Sequence, residues 1–502
     1  MSYICDLKKT LKNIYKIKIM SKINNSKFIK GIITFAIFLI VWLLPSTIFG
    51  IPDLTMTEQR VIAIFVLAAL LWILEIFPAW VTSVLIIVML VLTTSDSAFW
   101  FLKQNSDVTA LGTLVSYKSY VRTFADPIIM LFLGGFVLAI ATTKTGIDVQ
   151  LAKVMLKPFG NKFNNVLLGF ILVTAMFSMF ISNTATAAMM LAFMAPVLKA
   201  LPEEGKGKLG LVMAIPIGAN IGGIGTPIGT PPNAIALQSL NELPNINIGF
   251  GDWVIHMLPI ALILLFISWL LLRRLFPSNK KTIELDIKST NKNEVPRRDK
   301  LIVSITFGVT IILWMLDKVI GVNSNVIALI PIAVFCLTGI IGKKELKEIN
   351  WSVLWMVAGG IALGVGLNET HLAADLINAI PFNTWSVPLI ILGSCLICWT
   401  LSTFISNTAT AALLVPILCA VGVGMEDSLA SIGGVTTLLV CVAISASVAM
   451  VLPISTPPNA LAHSTGLIQQ KDMEKVGLIM GTLGLIIGIG MTIGYNLLGI
   501  GL

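Results

Sequence analysis

The sequence predicts an all-α polytopic membrane protein, with about 11 transmembrane helices plus two re-entrant hairpins arranged as two inverted repeats. Three observations lead there. Of 502 residues, 56% are hydrophobic and 12% charged, which excludes an ordinary water-soluble domain. The segment Ser182-Asn183-Thr184-Ala185-Thr186-Ala187-Ala188 returns unchanged at 406–412, 224 positions later, and Thr230-Pro231-Pro232-Asn233-Ala234 returns at 456–460, 226 positions later. Finally, once spans are counted, 29 of the 34 Lys and Arg fall on one side of the membrane.

The first 30 residues form a basic cytoplasmic tail carrying eight Lys, from Lys8 to Lys30. It reads as an orientation signal. The tail is long for the n-region of a secretory signal and Leu44-Pro45-Ser46 is a poor cleavage site, so the first span is expected to stay uncleaved. Apolar runs long enough to cross the hydrocarbon core lie near 31–49, 60–77, 79–95, 127–143, 253–275, 301–317, 324–342 and 475–500. The stretches 164–200, 208–240, 386–421 and 430–462 are as apolar but carry Ser, Thr, Asn, Pro or Gly clusters at their middles. Two of these, 164–200 and 386–421, read as hairpins with Ser-Asn-Thr at the tip, because about 17 residues flank it on each side.

Basic residues cluster in the tail and at 144–162, 199–208, 273–300, 343–347 and 471–475, leaving only Arg60, Lys103, Lys118, Arg122 and Lys318 opposite. This places the N-terminus in the cytoplasm and the C-terminus outside. The net charge of +9 is therefore loop bias, and it calls for no nucleic acid partner. An odd number of spans separates equivalent points, so the two copies lie upside down relative to each other. Residues 276–300, rich in Lys, Asn, Asp and Glu, are the cytoplasmic linker between them.

Polar interruptions at matching places in two halves point to a substrate and ion site near the bilayer midplane. Ser178 precedes Ser182 by four residues, and Ser402 precedes Ser406 by four, so each pair is expected on one helix face. Asn183 and Asn407 offer a carbonyl to a cation and an amide to an anion. Each Pro-Pro breaks its span and frees the carbonyl just before the motif, at Gly229 and Ser455. Hydroxyl and carbonyl oxygens of this kind make a cage of plausible size for Na+. Helix starts beside the breaks favour an anion, and Thr184, Thr230, Thr408 and Thr456 add hydroxyls there. Neither motif contains Lys or Arg, so a dianion would be balanced by co-bound cations and helix dipoles, which couples ion to substrate.

Elsewhere the residues read as structure. Glu75 reads as a helix-end contact and Asp126-Pro127 as a helix start. Cys395 and Cys398 read as small core residues, Asn368-Glu369-Thr370 as a chance glycosylation pattern, and Gly134-Gly135 and Gly359-Gly360 as close-packing points. Neither a zinc-protease His pair nor a nucleophile elbow occurs, which argues against an enzyme. An anion channel and a transporter both fit broken helices; the inverted repeat favours alternating access.

Together with Glu75-Ile76-Phe77-Pro78, Phe132-Leu133-Gly134-Gly135-Phe136 and Ala358-Gly359-Gly360, the doubled motifs resemble the divalent anion:sodium symporter family, the dicarboxylate transporters of the ion transporter superfamily, from about residue 60 to the C-terminus. The resemblance implies one Na+ at Ser178, Ser182, Asn183 and Gly229, and another at Ser402, Ser406, Asn407 and Ser455. It implies substrate carboxylates on Asn183, Thr184, Thr230, Asn407, Thr408 and Pro457. It further implies a homodimer in which scaffold segments 31–147 and 301–385 hold still while 148–275 and 386–502, each with a hairpin, move as an elevator. Three departures stand out: Ser402 where Thr is common, Ser455 where Gly or Ala is common, and Asn368-Glu369-Thr370-His371 in place of the usual Ser-Glu-Ser/Thr-Gly. The expected function is Na+-coupled symport of C4-dicarboxylates such as succinate, malate or fumarate across a bacterial cytoplasmic (inner) membrane. A Na+-independent dicarboxylate exchanger on the same fold, or a symporter of sulfate or citrate, remains open.

Overall fold

The computed structural model describes residues 27–104, 108–199, 201–202, 205–282, 295–379 and 386–502. Most of the basic tail, and residues 283–294 of the linker, lie outside them. Among the described residues, secondary structure is helical apart from two isolated bridges. Helix α1 covers 27–43. Then follow α2 (Met56–Ile73) and α3 (Ala79–Thr94), α4 (Pro127–Thr145) and α5 (Ile147–Leu156). The first hairpin is α6 (Phe163–Ser178) and α7 (Asn183–Lys199), followed by α8 (Gly207–Gly223), α9 (Pro231–Asn241) and α10 (Phe250–Leu275). The second half begins with α11 (Arg297–Met315), α12 (Leu329–Leu337), α13 (Trp351–Glu369) and α14 (Leu372–Ala379). The second hairpin is α15 (Val387–Phe404) and α16 (Asn407–Gly424); α17 (Gly434–Ser447), α18 (Pro457–Ser464) and α19 (Gln470–Leu497) complete the chain.

Seven described helices are long and apolar enough to cross a membrane, or eight when the pair 426–447, bent by 71°, counts as one span. Helices α3 and α6 and the stretch 324–337 are apolar but shorter. At 1.5 Å per residue, the 16 residues of α6 reach about 24 Å, less than the hydrocarbon thickness of about 30 Å.

Local chemistry explains the boundaries that matter. Helix α4 starts where Asp126 Oδ1 accepts from Ile128 N at 2.9 Å with Pro127 at the first helical position, as expected. Glu75 lies exposed past the end of α2 with φ of 48°, in the turn to α3, so it is a helix-end residue. Gly359 lets α13 lie against α3, since a Cβ there would fall 2.5 Å from that of Ser83. Cys395 and Cys398 are both fully buried, and buried Thr370 donates to Gly366 O.

The core is built on α8 and α17. Every residue of α8 except Leu209, and every residue of α17 except Gly434, is buried. Helices apolar all round belong inside a large protein. Each is wrapped by the hairpin of its own half, α8 by α6 and α7 and α17 by α15 and α16, while α10 and α19 pack against the outside. Large exposed apolar side chains on α1, α10, α11, α15 and α19 form the outer surface.

Candidate functional site

The hairpin tips are broken helices. Helix α6 stops at Ser178 and α7 starts at Asn183, with Ser182 Oγ accepting from Ala185 N at 3.3 Å as a cap. In the second half α15 runs to Phe404, Ile405 is extended, and Ser406 Oγ accepts from Ala409 N at 3.2 Å. The expectation that Ser178 and Ser182, and likewise Ser402 and Ser406, share one helix face is therefore corrected. The helix ends between the members of each pair, and the second serine caps the following helix instead.

Ser178 and Ser402 turn inward. Ser178 Oγ lies 2.5 Å from Asn183 Oδ1 and 2.8 Å from the Ala219 carbonyl; Ser402 Oγ lies 2.8 Å from Asn407 Oδ1 and 3.2 Å from the Ala446 carbonyl. A hydroxyl has one proton to donate, so in each half three oxygens crowd around one hydrogen. A cation would relieve that crowding. Gly223 completes the first cradle: a Cβ there would sit 3.0 Å from both Asn183 Oδ1 and the Gly229 carbonyl. Oxygen donors without a thiolate or imidazole suit a hard cation.

The Thr-Pro-Pro-Asn motifs start α9 and α18, with Thr230 and Thr456 at the N-cap positions, Thr456 Oγ1 accepting from Asn459 N, and Pro231 and Pro457 at the first helical positions. Their asparagines brace the preceding loops. Asn233 Nδ2 reaches the carbonyls of Gly223, Ile224 and Thr226 at 2.8–3.1 Å, and Asn459 Nδ2 those of Met450 and Leu452 at 2.8 and 2.9 Å. The Ser455 hydroxyl donates to Thr403 O at 2.6 Å and accepts from Leu452 N at 3.0 Å, so it supports the loop.

A cavity of about 230 Å³ lies where the starts of α7, α9, α16 and α18 meet. It is lined by Asn183, Thr184, Thr230, Asn407, Thr408 and Pro457, and also by Ser182, Gly229, Ser406 and Ser455. Ser178 and Ser402 stand behind it, against Asn183 and Asn407. Among the described residues no ionisable side chain lines it. Each helix start carries a partial positive charge, so the four together favour an anion without neutralising a dianion. Its volume lies below the range of pockets for drug-sized ligands, which suits a small anion.

Sequence reasoning missed Asn220, which also lines the cavity, and the wall formed by Phe132 and Phe136 of α4 with Val353 and Met356 of α13. Asn350, which caps α13, stands at its edge. The one available signal for Asn220 was a lone amide in a helix that is otherwise apolar from Leu209 onward. Buried hydroxyls of Thr186 and Thr410, at equivalent places beside the two cradles, have no protein partner, and neither has Asn233 Oδ1. Among the described residues no cluster of His, Cys, Asp or Glu is arranged to hold a metal ion.

Comparison with known proteins gives the family of the chain. Residues 25–500 match the family model described as the sodium:sulfate symporter transmembrane region. An uncharacterized transporter of Haemophilus influenzae is 32% identical over 454 residues, covering 86% of this chain and 90% of that one. The sodium-dependent dicarboxylate transporter SdcS of Staphylococcus aureus is 30% identical over 486 residues, covering 89% and 88%. Among solved structures, Neisseria gonorrhoeae MtrF and Alcanivorax borkumensis YdaH each superpose with a TM-score of 0.53. They are 15% and 12% identical, covering 82% and 84% of this chain and 94% and 98% of theirs, a likeness of fold alone. The chain is a membrane transporter, not an enzyme, and it belongs to the divalent anion:sodium symporter family.

Proposed function

We propose that the protein couples Na+ entry to import of C4-dicarboxylates such as succinate, malate or fumarate. The observation that carries this reading is the cavity where four helix starts face one small volume, with an oxygen cradle on either side. One Na+ occupies the Ser178, Asn183 and Gly229 cradle, bordered by Ser182; the second occupies that of Ser402, Asn407 and Ser455, bordered by Ser406. The substrate carboxylates take the amides and hydroxyls of Asn183, Thr184, Thr230, Asn407 and Thr408, with Pro457 at the second helix start. Because no described basic side chain lines the cavity, the two cations complete the charge balance and the dianion binds well only when they are present.

In this reading the protein is a homodimer in the inner membrane, N-terminus inside and C-terminus outside. Segments 31–147 and 301–385 form a scaffold, and 148–275 and 386–502, as inverted repeats, carry the site past it as an elevator. The wall of Phe132, Phe136, Val353 and Met356 then belongs to the fixed part and would face different residues in the two end states.

Uptake of radiolabelled succinate into proteoliposomes tests the reading, with an inward Na+ gradient, a K+ gradient, and preloaded unlabelled succinate compared. Uptake requiring external Na+ is expected. Uptake that needs only internal dicarboxylate makes the protein an exchanger, and absence of succinate uptake under all three conditions moves the substrate to sulfate or citrate.

A further inference from the structure

We propose that Asn220 is a positioning residue that ties the two cation cradles together, so that occupancy of one is felt by the other; the proposal rests on the reading of both cradles as Na+ sites. Asn220 lies on α8, 2% exposed, beside the cavity. Its Nδ2 donates across the repeat boundary to Thr456 Oγ1 at 3.1 Å and to Asn459 Oδ1 at 3.2 Å. Its chain neighbour Ala219 supplies the carbonyl that faces Ser178 in the first cradle. Asn459 in turn holds the carbonyls of Met450 and Leu452, and the Leu452 N–H donates to Ser455 Oγ. An unbroken series of hydrogen bonds and peptide links thus runs from Ser178 through Asn220 to Ser455.

Among the described residues the repeat shows no reciprocal link. Ala446 takes the place of Ala219 against Ser402, so the counterpart of Asn220 is Ser447. The Ser447 hydroxyl donates to Ala443 O within its own helix at 2.9 Å and spans nothing. Correspondingly Asn233 Oδ1, the counterpart of the oxygen that accepts from Asn220, is buried without a protein partner. Among the described residues the tie between the cradles is therefore one-sided. Loss of Asn220 should uncouple the cradles without dismantling either, because every direct cradle contact is made by other residues.

The test uses full-length protein with Asn220→Ser and Asn220→Ala, and Ser447→Ala as the control. Asn220→Ser gives α8 the residue the fold already accepts at 447, so packing is retained while the reach is lost. Na+ is titrated against K+ at constant ionic strength, reading thermal stabilisation of detergent-solubilised protein without substrate, then initial uptake rate in proteoliposomes. Wild type and Ser447→Ala should show cooperative curves. In the Asn220 variants the half-saturating Na+ should rise at least about 2- to 12-fold, the worth of each neutral hydrogen bond lost, with the Hill coefficient falling from about 2 towards 1. A merely structural role would lower maximal uptake and leave the curve's shape alone. Unchanged cooperativity in Asn220→Ser, or an equal effect of Ser447→Ala, overturns the proposal. Wild type indifferent to Na+ in both assays overturns the Na+ reading itself, and the tie with it.

Discussion

Adding one methyl group at Gly229 should disable the first cation cradle. A Cβ there would lie 2.4 Å from the Gly223 carbonyl oxygen, 2.8 Å from its Cα and 2.9 Å from its carbonyl carbon. Ordinary contact is about 3.5 Å, so the loop before α9 must move by roughly 1 Å away from the end of α8. Both obstacles are backbone, and the same backbone holds the Asn183 and Gly229 oxygens in place. Overpacking costs about 1–3 kcal/mol, and with rigid neighbours the upper half of that range applies. At about 1.4 kcal/mol per factor of ten, half-saturating Na+ in Gly229→Ala should rise about 30- to 150-fold in the uptake assay. The control is Gly225→Ala in the same loop. Its nearest obstacle is the mobile end of Met179, at 2.9 Å, so it should stay within about threefold of wild type, a shift worth less than 1 kcal/mol. A wild-type Na+ curve for properly folded Gly229→Ala, or equal damage from Gly225→Ala, would refute the cradle.

Asn183→Ala and Asn407→Ala each remove an oxygen facing a serine hydroxyl and an amide facing the cavity, so each should raise half-saturation for both Na+ and succinate by about tenfold or more; normal curves in both variants would sink the site assignment. Gln238 Nε2 donates to Asp126 Oδ2 at 2.9 Å and to Glu242 Oε1 at 3.0 Å, tying α9 to the start of α4. If α9 moves against a fixed α4, Gln238→Leu should change maximal uptake rate with little effect on half-saturating succinate, and a pure affinity change would contradict that division. At the predicted cytoplasmic face the Lys144 ammonium, 2.6 Å from Glu345, holds that carboxyl at about 2 instead of the usual value near 4.5, with help from the Gly342 N–H. A depressed carboxyl stabilises the fold above its unfolded value and loses the contribution as pH falls towards 2. Lys144 is 43% exposed, so screening limits this to about 0.5–1 kcal/mol. Melting curves at pH 7, 4 and 3 should show Lys144→Met with the shallower acid-side loss; identical pH slopes would exclude the pair.

The membrane class, the two-fold repetition and the polar lining of the cavity other than Asn220 and Asn350 were legible in the sequence. Those features are written in local patterns: apolar run length, repeated words, and the helix-start chemistry of Thr-Pro-Pro-Asn, which acts within a few residues of where it is read. Asp126-Pro127 and Glu75 were legible for the same reason. The four-residue spacing of Ser178 and Ser182 misled, because i to i+4 neighbours share a face only if the helix continues, and the chain breaks between them. Only the tertiary structure decided which oxygens converge. Ala219 and Ala446 contribute through their carbonyls, which side-chain identity does not reveal, and Asn220 meets partners 236 and 239 positions away. The wall of Phe132, Phe136, Val353 and Met356 is assembled from two distant helices whose apolar residues look like any others in a membrane span. Such contacts follow from how α8 and α17 pack at the centre of the fold, a global balance of side-chain shapes that no local pattern encodes.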